Sequence, residues 1–153
     1  MSLLEHKKAR LEYEILKEFE AGIELYGFEV KALRARSGKL ESAHIVVRPS
    51  GKRGSFEGFV VGMQIPPYQA ANTPKEYEPE RARRLLLSKD ELNELHGYES
   101  QKGLTIVPIS VYNKGSVLKV KIAAVRGRKK FDKRAVLKER DTKREIERTL
   151  KNQ

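Results

Sequence analysis

The stretch YEILKEFEAGIEL, residues 13–25, decides how the rest of the chain is read. Tyr13, Ile15, Phe19, Ala21, Ile23 and Leu25 share one parity, and Glu14, Glu18, Glu20 and Glu24 share the other. Successive side chains of an extended chain point to opposite faces, so this spacing predicts a half-buried strand with an acidic outer face. On its C-terminal side the period changes. Val30 and Leu33 are spaced for a short helix within Phe28–Arg36, and Ser37-Gly38 supplies a stop.

Two β-rich segments follow, Leu40–Arg48 and Phe56–Ile65, joined by Pro49-Ser50-Gly51-Lys52-Arg53-Gly54, which has the composition of a hairpin loop. Gly58 and Gly62 would let the second segment bend sharply, as closure of a barrel requires. Residues 66–81 hold Pro66, Pro67, Pro74 and Pro79 among polar side chains and read as a loop, since proline donates nothing to a ladder. Ser88 and Glu91 form a capping-box pair ahead of Leu92 and Leu95, predicting a short helix closed by Gly97. Leu104–Tyr112 and Val117–Val125 form a second hairpin across Asn113-Lys114-Gly115, with Lys119 and Lys121 on its wet face. Five or six short strands with two or three short helices predict a mainly β fold, an oligonucleotide-binding-like antiparallel β-barrel, with a sandwich as the alternative.

The 153 residues suit one folded domain, assigned to residues 1–125. Residues 126–153 differ in character. They carry 12 basic and five acidic side chains, so +7 of the net +11 lies there. Apolar residues after Arg134 are sparse, and the favourable pairs Glu139 with Lys143 and Glu147 with Lys151 contribute only about 0.2–0.5 kcal/mol each. A basic tail, disordered alone and helical against an anionic surface, is expected. The excess of 32 Lys and Arg over 21 Asp and Glu calls for a polyanionic partner, which nucleic acid or an anionic membrane surface could supply. Cysteine is absent, in keeping with a reducing compartment. Glu5, His6, Lys7 and Lys8 interrupt the apolar run that a signal peptide would need, and no stretch is long and apolar enough to span a bilayer, so a cytoplasmic protein is expected.

Groupings that would mark an enzyme do not occur: no phosphate-binding glycine loop, no Gly-x-Ser-x-Gly, and no histidine pair at metal-binding spacing. His6, His44 and His96 are isolated and read as ordinary surface or packed residues. No catalytic residue, metal or cofactor is therefore expected. Three basic groupings suit RNA. Lys7, Lys8 and Arg10 lead into Tyr13, although a solvated basic terminus explains them equally well. Lys31 and Arg34 share a helical face, which alone is a solvated surface. Arg126, Arg128, Lys129, Lys130, Lys133 and Arg134 crowd around Gly127 and Phe131, a density that solubility does not require.

In order and spacing these segments resemble the SsrA-binding protein (small protein B) family. The matching blocks are Lys7-Lys8-Ala9-Arg10 through Tyr13-Glu14-Ile15, Phe19-Glu20-Ala21-Gly22-Ile23 and Gly27-Phe28-Glu29-Val30-Lys31-Ala32-Leu33-Arg34. Pro79-Glu80-Arg81-Ala82-Arg83-Arg84-Leu85-Leu86-Leu87 and Gly127-Arg128-Lys129-Lys130-Phe131-Asp132-Lys133-Arg134 follow in register. The resemblance implies binding of the tRNA-like domain of transfer-messenger RNA (tmRNA, SsrA) and its delivery to stalled ribosomes for trans-translation. It places Lys7, Arg10, Tyr13, Glu20, Gly22, Glu29, Lys31, Arg34 and Leu86 on the tmRNA-binding surface. Gly127, Arg128, Lys129, Lys130, Phe131, Asp132, Lys133 and Arg134 would meet the ribosome, where the tail occupies the empty messenger channel and decoding region of small-subunit RNA. Elongation factor Tu with aminoacylated tmRNA is a further implied partner, and a membrane is not. The chain departs from the family at His6, Leu11, Ala32, Ser88 and Phe131, where Asn, His, Ser, His or Asn, and His or Tyr are usual.

Overall fold

A computed structural model describes residues 2–127 and Arg144. Its elements, in chain order, are β1 (Ser2–Glu5), α1 (Ala9–Glu12), β2 (Tyr13–Ile23), α2 (Gly27–Arg34), β3 (His44–Pro49), β4 (Phe56–Val61), β5 (Arg83–Leu86), α3 (Lys89–Glu99), β6 (Leu104–Lys114) and β7 (Val117–Gly127), with a 3-10 turn at Ala70–Asn72. The strands form one antiparallel sheet in the order β1-β6-β7-β2-β5-β4-β3. The sheet curls so that β3 packs against β6 without pairing to it among the described residues, which makes a partly open barrel. Phe19, Ala21, Ile45, Val60, Leu85, Ile106, Val120 and Ile122 fill the interior. Gly62, at φ +80°, turns the chain out of β4, and a Cβ there would meet the Ser42 carbonyl oxygen at 2.8 Å.

Two bulges revise the expected parity. Ile15 pairs with Val125 but Lys17 pairs with Ala124, so Leu16 is an extra residue in β2. Phe19 and Ala21 consequently face the interior, whereas Tyr13 and Ile15 pack outside, in a second cluster with Val107, Ala123 and Val125. In β6 a second shift falls between Pro108 and Ser110, next to a proline that could not have donated to a regular ladder.

The sequence reading omitted β1 and β5. The expected helix end at Gly97 is also superseded. Ser88 does cap α3, its hydroxyl accepting the Glu91 N–H at 3.2 Å, but the helix runs on to Glu99. Leu95 is fully buried, Tyr98 meets Phe19 edge-on, and His96 stacks on Phe56 at 4.1 Å. These contacts outweigh a glycine penalty of about 1 kcal/mol. Glu99 then accepts the Val47 N–H at 2.8 Å on the side of β3 that has no neighbouring strand. At the C-terminal end β7 carries two residues past the expected boundary at Val125. Of the expected disordered or helical tail, residues 128–143 and 145–153 lie outside the described residues.

β5 joins the β2 side of the sheet to β4, and its inward residues are Arg83 and Leu85, both buried. The buried guanidinium is matched by Glu29, which has no exposed surface. Arg83 Nε donates to Glu29 Oε2 at 2.7 Å, and its remaining N–H groups reach the carbonyls of Met63, Pro79 and Arg81 and the Tyr77 hydroxyl. Glu29 also accepts from the Tyr26 backbone N–H at 2.8 Å, the Tyr77 hydroxyl at 3.0 Å and the Arg81 guanidinium. Burial alone would push the Glu29 carboxyl up, but Arg81, the Tyr26 N–H and Arg83 together hold it below the ordinary carboxylate range. Glu29 is thus a core residue that organises α2, the 66–82 loop and β5. This replaces the expectation that it contacts RNA.

Glu29→Gln should lower stability by about 3–5 kcal/mol near neutral pH, because it leaves Arg83 buried without its counter-charge. A carboxyl held below its ordinary range stabilises the fold above that range and loses its contribution as pH falls through it. The difference in urea midpoint between wild type and Glu29→Gln should therefore narrow below about pH 4.

Candidate nucleic-acid interface

In β2 beyond the bulge, alternation places Phe19, Ala21 and Ile23 inside and Glu18, Glu20 and Gly22 outside. The partner strands add Lys119 and Lys121 from β7, Ser110 and Tyr112 from β6, and Arg84 and Leu86 from β5. Register sets Glu20 opposite Lys121, and Gly22 between Lys119 and Leu86. This part of the outer face is polar and cationic, with an exposed leucine among the cations. Leu86 is 51% exposed. A Cβ on Gly22 would meet the Leu86 Cβ at 3.2 Å, so the bare glycine lets that leucine lie close across the sheet.

Glu20 is the organising group of the face. It accepts from Lys114 Nζ at 2.8 Å and from the Tyr112 hydroxyl. Lys114 chiefly, then Tyr112, hold the Glu20 carboxyl below its ordinary range, and Lys119 adds to this electrostatically. Tyr112 responds in the other direction: burial first, then its bond to Glu20, push the phenol up to about 12. Arg34 extends the face, its guanidinium donating to the Ser116 carbonyl at 3.0 Å in the turn after Lys114. Lys31 is exposed on α2.

At the other end of the face the N-terminal segment folds across the sheet. A cleft of about 270 Å³ opens between residues 2–10 and Ile109, Ser110 and Lys121, with Lys7 and Arg10 on its walls. Glu18 links the two sides, 3.7 Å from Arg10 and 3.8 Å from Lys121. His6 is buried here, 3.8 Å from Glu12 and edge-on to Tyr13. Tyr13, half-buried, meets His6 edge-on and packs against the outer apolar cluster beside this cleft.

The structure thus gathers Glu20, Gly22 and Leu86 on one face, with Arg34 at one end of it and Lys7 and Arg10 at the other. Glu29 is moved into the core. Gly127 ends β7 opposite Tyr13. Residues that sequence reasoning left out of the site are Tyr112, Lys114, Arg84 and the pair Lys119 and Lys121. The Lys-x-Lys alternation was the available signal for that pair; nothing local marked Tyr112 or Arg84. Among the described residues no group of His, Asp or Glu could hold a metal ion, and no helix is long and apolar enough to cross a membrane.

A small antiparallel barrel whose outer sheet face carries cations around an exposed leucine belongs to the class of nucleic-acid-binding β-barrel proteins. Comparison with known proteins narrows this. The SmpB protein family matches residues 3–152. An SsrA-binding protein of Wolbachia pipientis wMel is 45% identical over 151 residues, covering 98% of this chain and 97% of the relative. Those of Gloeothece citriformis and Clostridium acetobutylicum are each 40% identical, covering 97% and 99% of this chain and 92% and 93% of theirs. A chain in a solved structure of tmRNA-SmpB at the centre of the bacterial ribosome is 41% identical, with a TM-score of 0.63 over 83% of this chain and 85% of that one. The chain belongs to the SmpB family.

If Glu20 sets the ionisation of Tyr112, Glu20→Gln should lower the phenol from about 12 toward its ordinary value while leaving it raised by burial. Ultraviolet titration of phenolate formation in wild type, Glu20→Gln and Tyr112→Phe isolates that transition.

Proposed function

We propose that this chain binds the tRNA-like domain of tmRNA (SsrA) and delivers it to stalled ribosomes for trans-translation. The observation that carries the proposal is the continuous outer face, running from the Lys7 and Arg10 cleft through Glu20 to Leu86. Its chemistry suits folded RNA. Lys119, Lys121 and Arg84 offer charge to phosphates, the Tyr112–Glu20–Lys114 group offers donors and acceptors for 2′-hydroxyls, and Leu86 offers an apolar contact to an unstacked base. The protein holds RNA in this reading and transforms nothing. Residues 1–125 form the RNA-binding domain.

Residues 126–153 act as a separate ribosome-directed tail, with Gly127, Arg128, Lys129, Lys130, Phe131, Asp132, Lys133 and Arg134 meeting small-subunit RNA. Their charge density and poverty in apolar residues support that role. The tail tests whether the messenger channel and decoding region are empty, and elongation factor Tu with aminoacylated tmRNA completes the delivered complex.

Competition separates this function from general RNA binding by a basic barrel. Excess unlabelled tmRNA should displace labelled tmRNA at far lower concentration than total tRNA does; equal displacement by both would refute a dedicated partner. Truncation after Phe131 should leave tmRNA affinity within a fewfold of wild type and abolish peptide tagging on stalled ribosomes. Loss of RNA affinity in that truncation would locate the main binding site in the tail.

A further inference from the structure

Away from the Glu20 face, the segment following β2 forms a second feature of the surface. Tyr26, Phe28, Pro74 and Tyr77 line a cleft of about 250 Å³ whose exposed surface is mostly apolar, with Glu76 on its rim. Tyr26 is 53% exposed, yet it is firmly held: its backbone N–H donates to buried Glu29 at 2.8 Å, and the Arg81 guanidinium lies 4.1 Å from its ring centroid. Phe28 sits 5.5 Å from the Tyr26 ring and meets Tyr77 edge-on at 4.7 Å. The ion-pair cluster in the core therefore preorganises an aromatic platform at the surface, although folding does not bury that platform. The cleft adjoins the RNA face, since Glu24, two residues before Tyr26, donates its N–H to the Arg84 carbonyl at 2.9 Å.

We infer that this cleft takes one unpaired nucleobase of the bound RNA and that Glu76 makes guanine the preferred base. The inference rests on the RNA-binding reading above. Splayed-out bases stack on aromatic side chains, and an apolar aromatic cleft that also holds one carboxylate matches a base that is apolar on its faces and polar at its edge. Lys75, exposed between the lining residues Pro74 and Glu76 in sequence, is a nearby cation for a phosphate. The carboxylate selects the base. Guanine presents N1–H and the 2-amino group side by side, matching the two oxygens of an ionised carboxyl, which can only accept. Adenine and cytosine set a ring-nitrogen lone pair beside their amino group, and uracil flanks its N–H with two carbonyls, so each of the three turns an acceptor toward Glu76.

The test has two arms on the full chain. In the first, GMP, AMP, CMP and UMP are titrated separately while amide NMR shifts are followed. GMP should shift Tyr26, Phe28 and Tyr77 saturably and most tightly, and Glu76→Gln should remove its advantage over AMP. Shifts confined to other residues, or equal affinities for all four nucleotides, would overturn the inference. In the second arm, Tyr26→Ala should weaken tmRNA binding about tenfold at an unchanged melting temperature, with affinity restored by Tyr26→Phe. Full affinity in Tyr26→Ala overturns the inference, as does a loss of ribosome association alone, which would assign the cleft to a protein. If wild type instead fails to prefer tmRNA over tRNA, the functional reading fails, and the nucleotide titration still decides the cleft.

Discussion

Glu29 and Arg83, two opposite charges with no exposed surface, hold together the half of the barrel that sequence periodicity does not explain. Desolvating both ions costs several kcal/mol each, and their attraction offsets this only when every remaining donor and acceptor is matched. Here the matching is supplied by Tyr26, Tyr77, Arg81 and the carbonyls of Met63, Pro79 and Arg81. What the cluster provides is geometry more than net stability. With Arg83 turned inward, the period of two turns Leu85 inward as well and sets Arg84 and Leu86 outside. The exposed leucine beside Gly22 and the aromatic platform at Tyr26 both follow from one buried carboxylate.

The bulge at Leu16 is the second device. One extra residue lets a single strand serve two purposes: its first half packs Tyr13 and Ile15 against an outer apolar cluster, and its second half turns the carboxylates of Glu18 and Glu20, and bare Gly22, to the same outer side. The N-terminal segment crosses the sheet there, with Ala9 buried, and Lys7 and Arg10 come to line a cleft with Lys121. The resulting face mixes charges of both signs. Glu20 engages Lys114 and Tyr112, and Glu18 lies between Arg10 and Lys121, so the cations are held at defined positions. Such a surface suits a folded RNA read by shape, whereas the crowded cations after Val125 suit a partner met chiefly through charge.

Much of this was legible in local sequence. Alternation in residues 13–25 and 104–125 marked the long strands, Ser88 and Glu91 marked the start of α3, and the charge imbalance with ordered family blocks pointed to RNA. Glu20, Gly22 and Leu86 were named from those blocks, and the structure sets them on one face. Glu29 carries the charge of a contact residue yet lies wholly in the core, because a side chain's type says nothing of whether its neighbours cover it. β5 was passed over because an arginine stands where an inward apolar residue is expected, and its partner lies 54 residues earlier.

The sequence by itself determined the features whose physics is local: strand period, helix cap, turn residues and net charge, each set by residues within a few positions of one another. Tertiary structure alone decided which faces those elements turned outward. That depended on a bulge that shifts parity, on a glycine helix stop overridden by packing, and on a buried ion pair whose two charges become acceptable only when the fold brings them together.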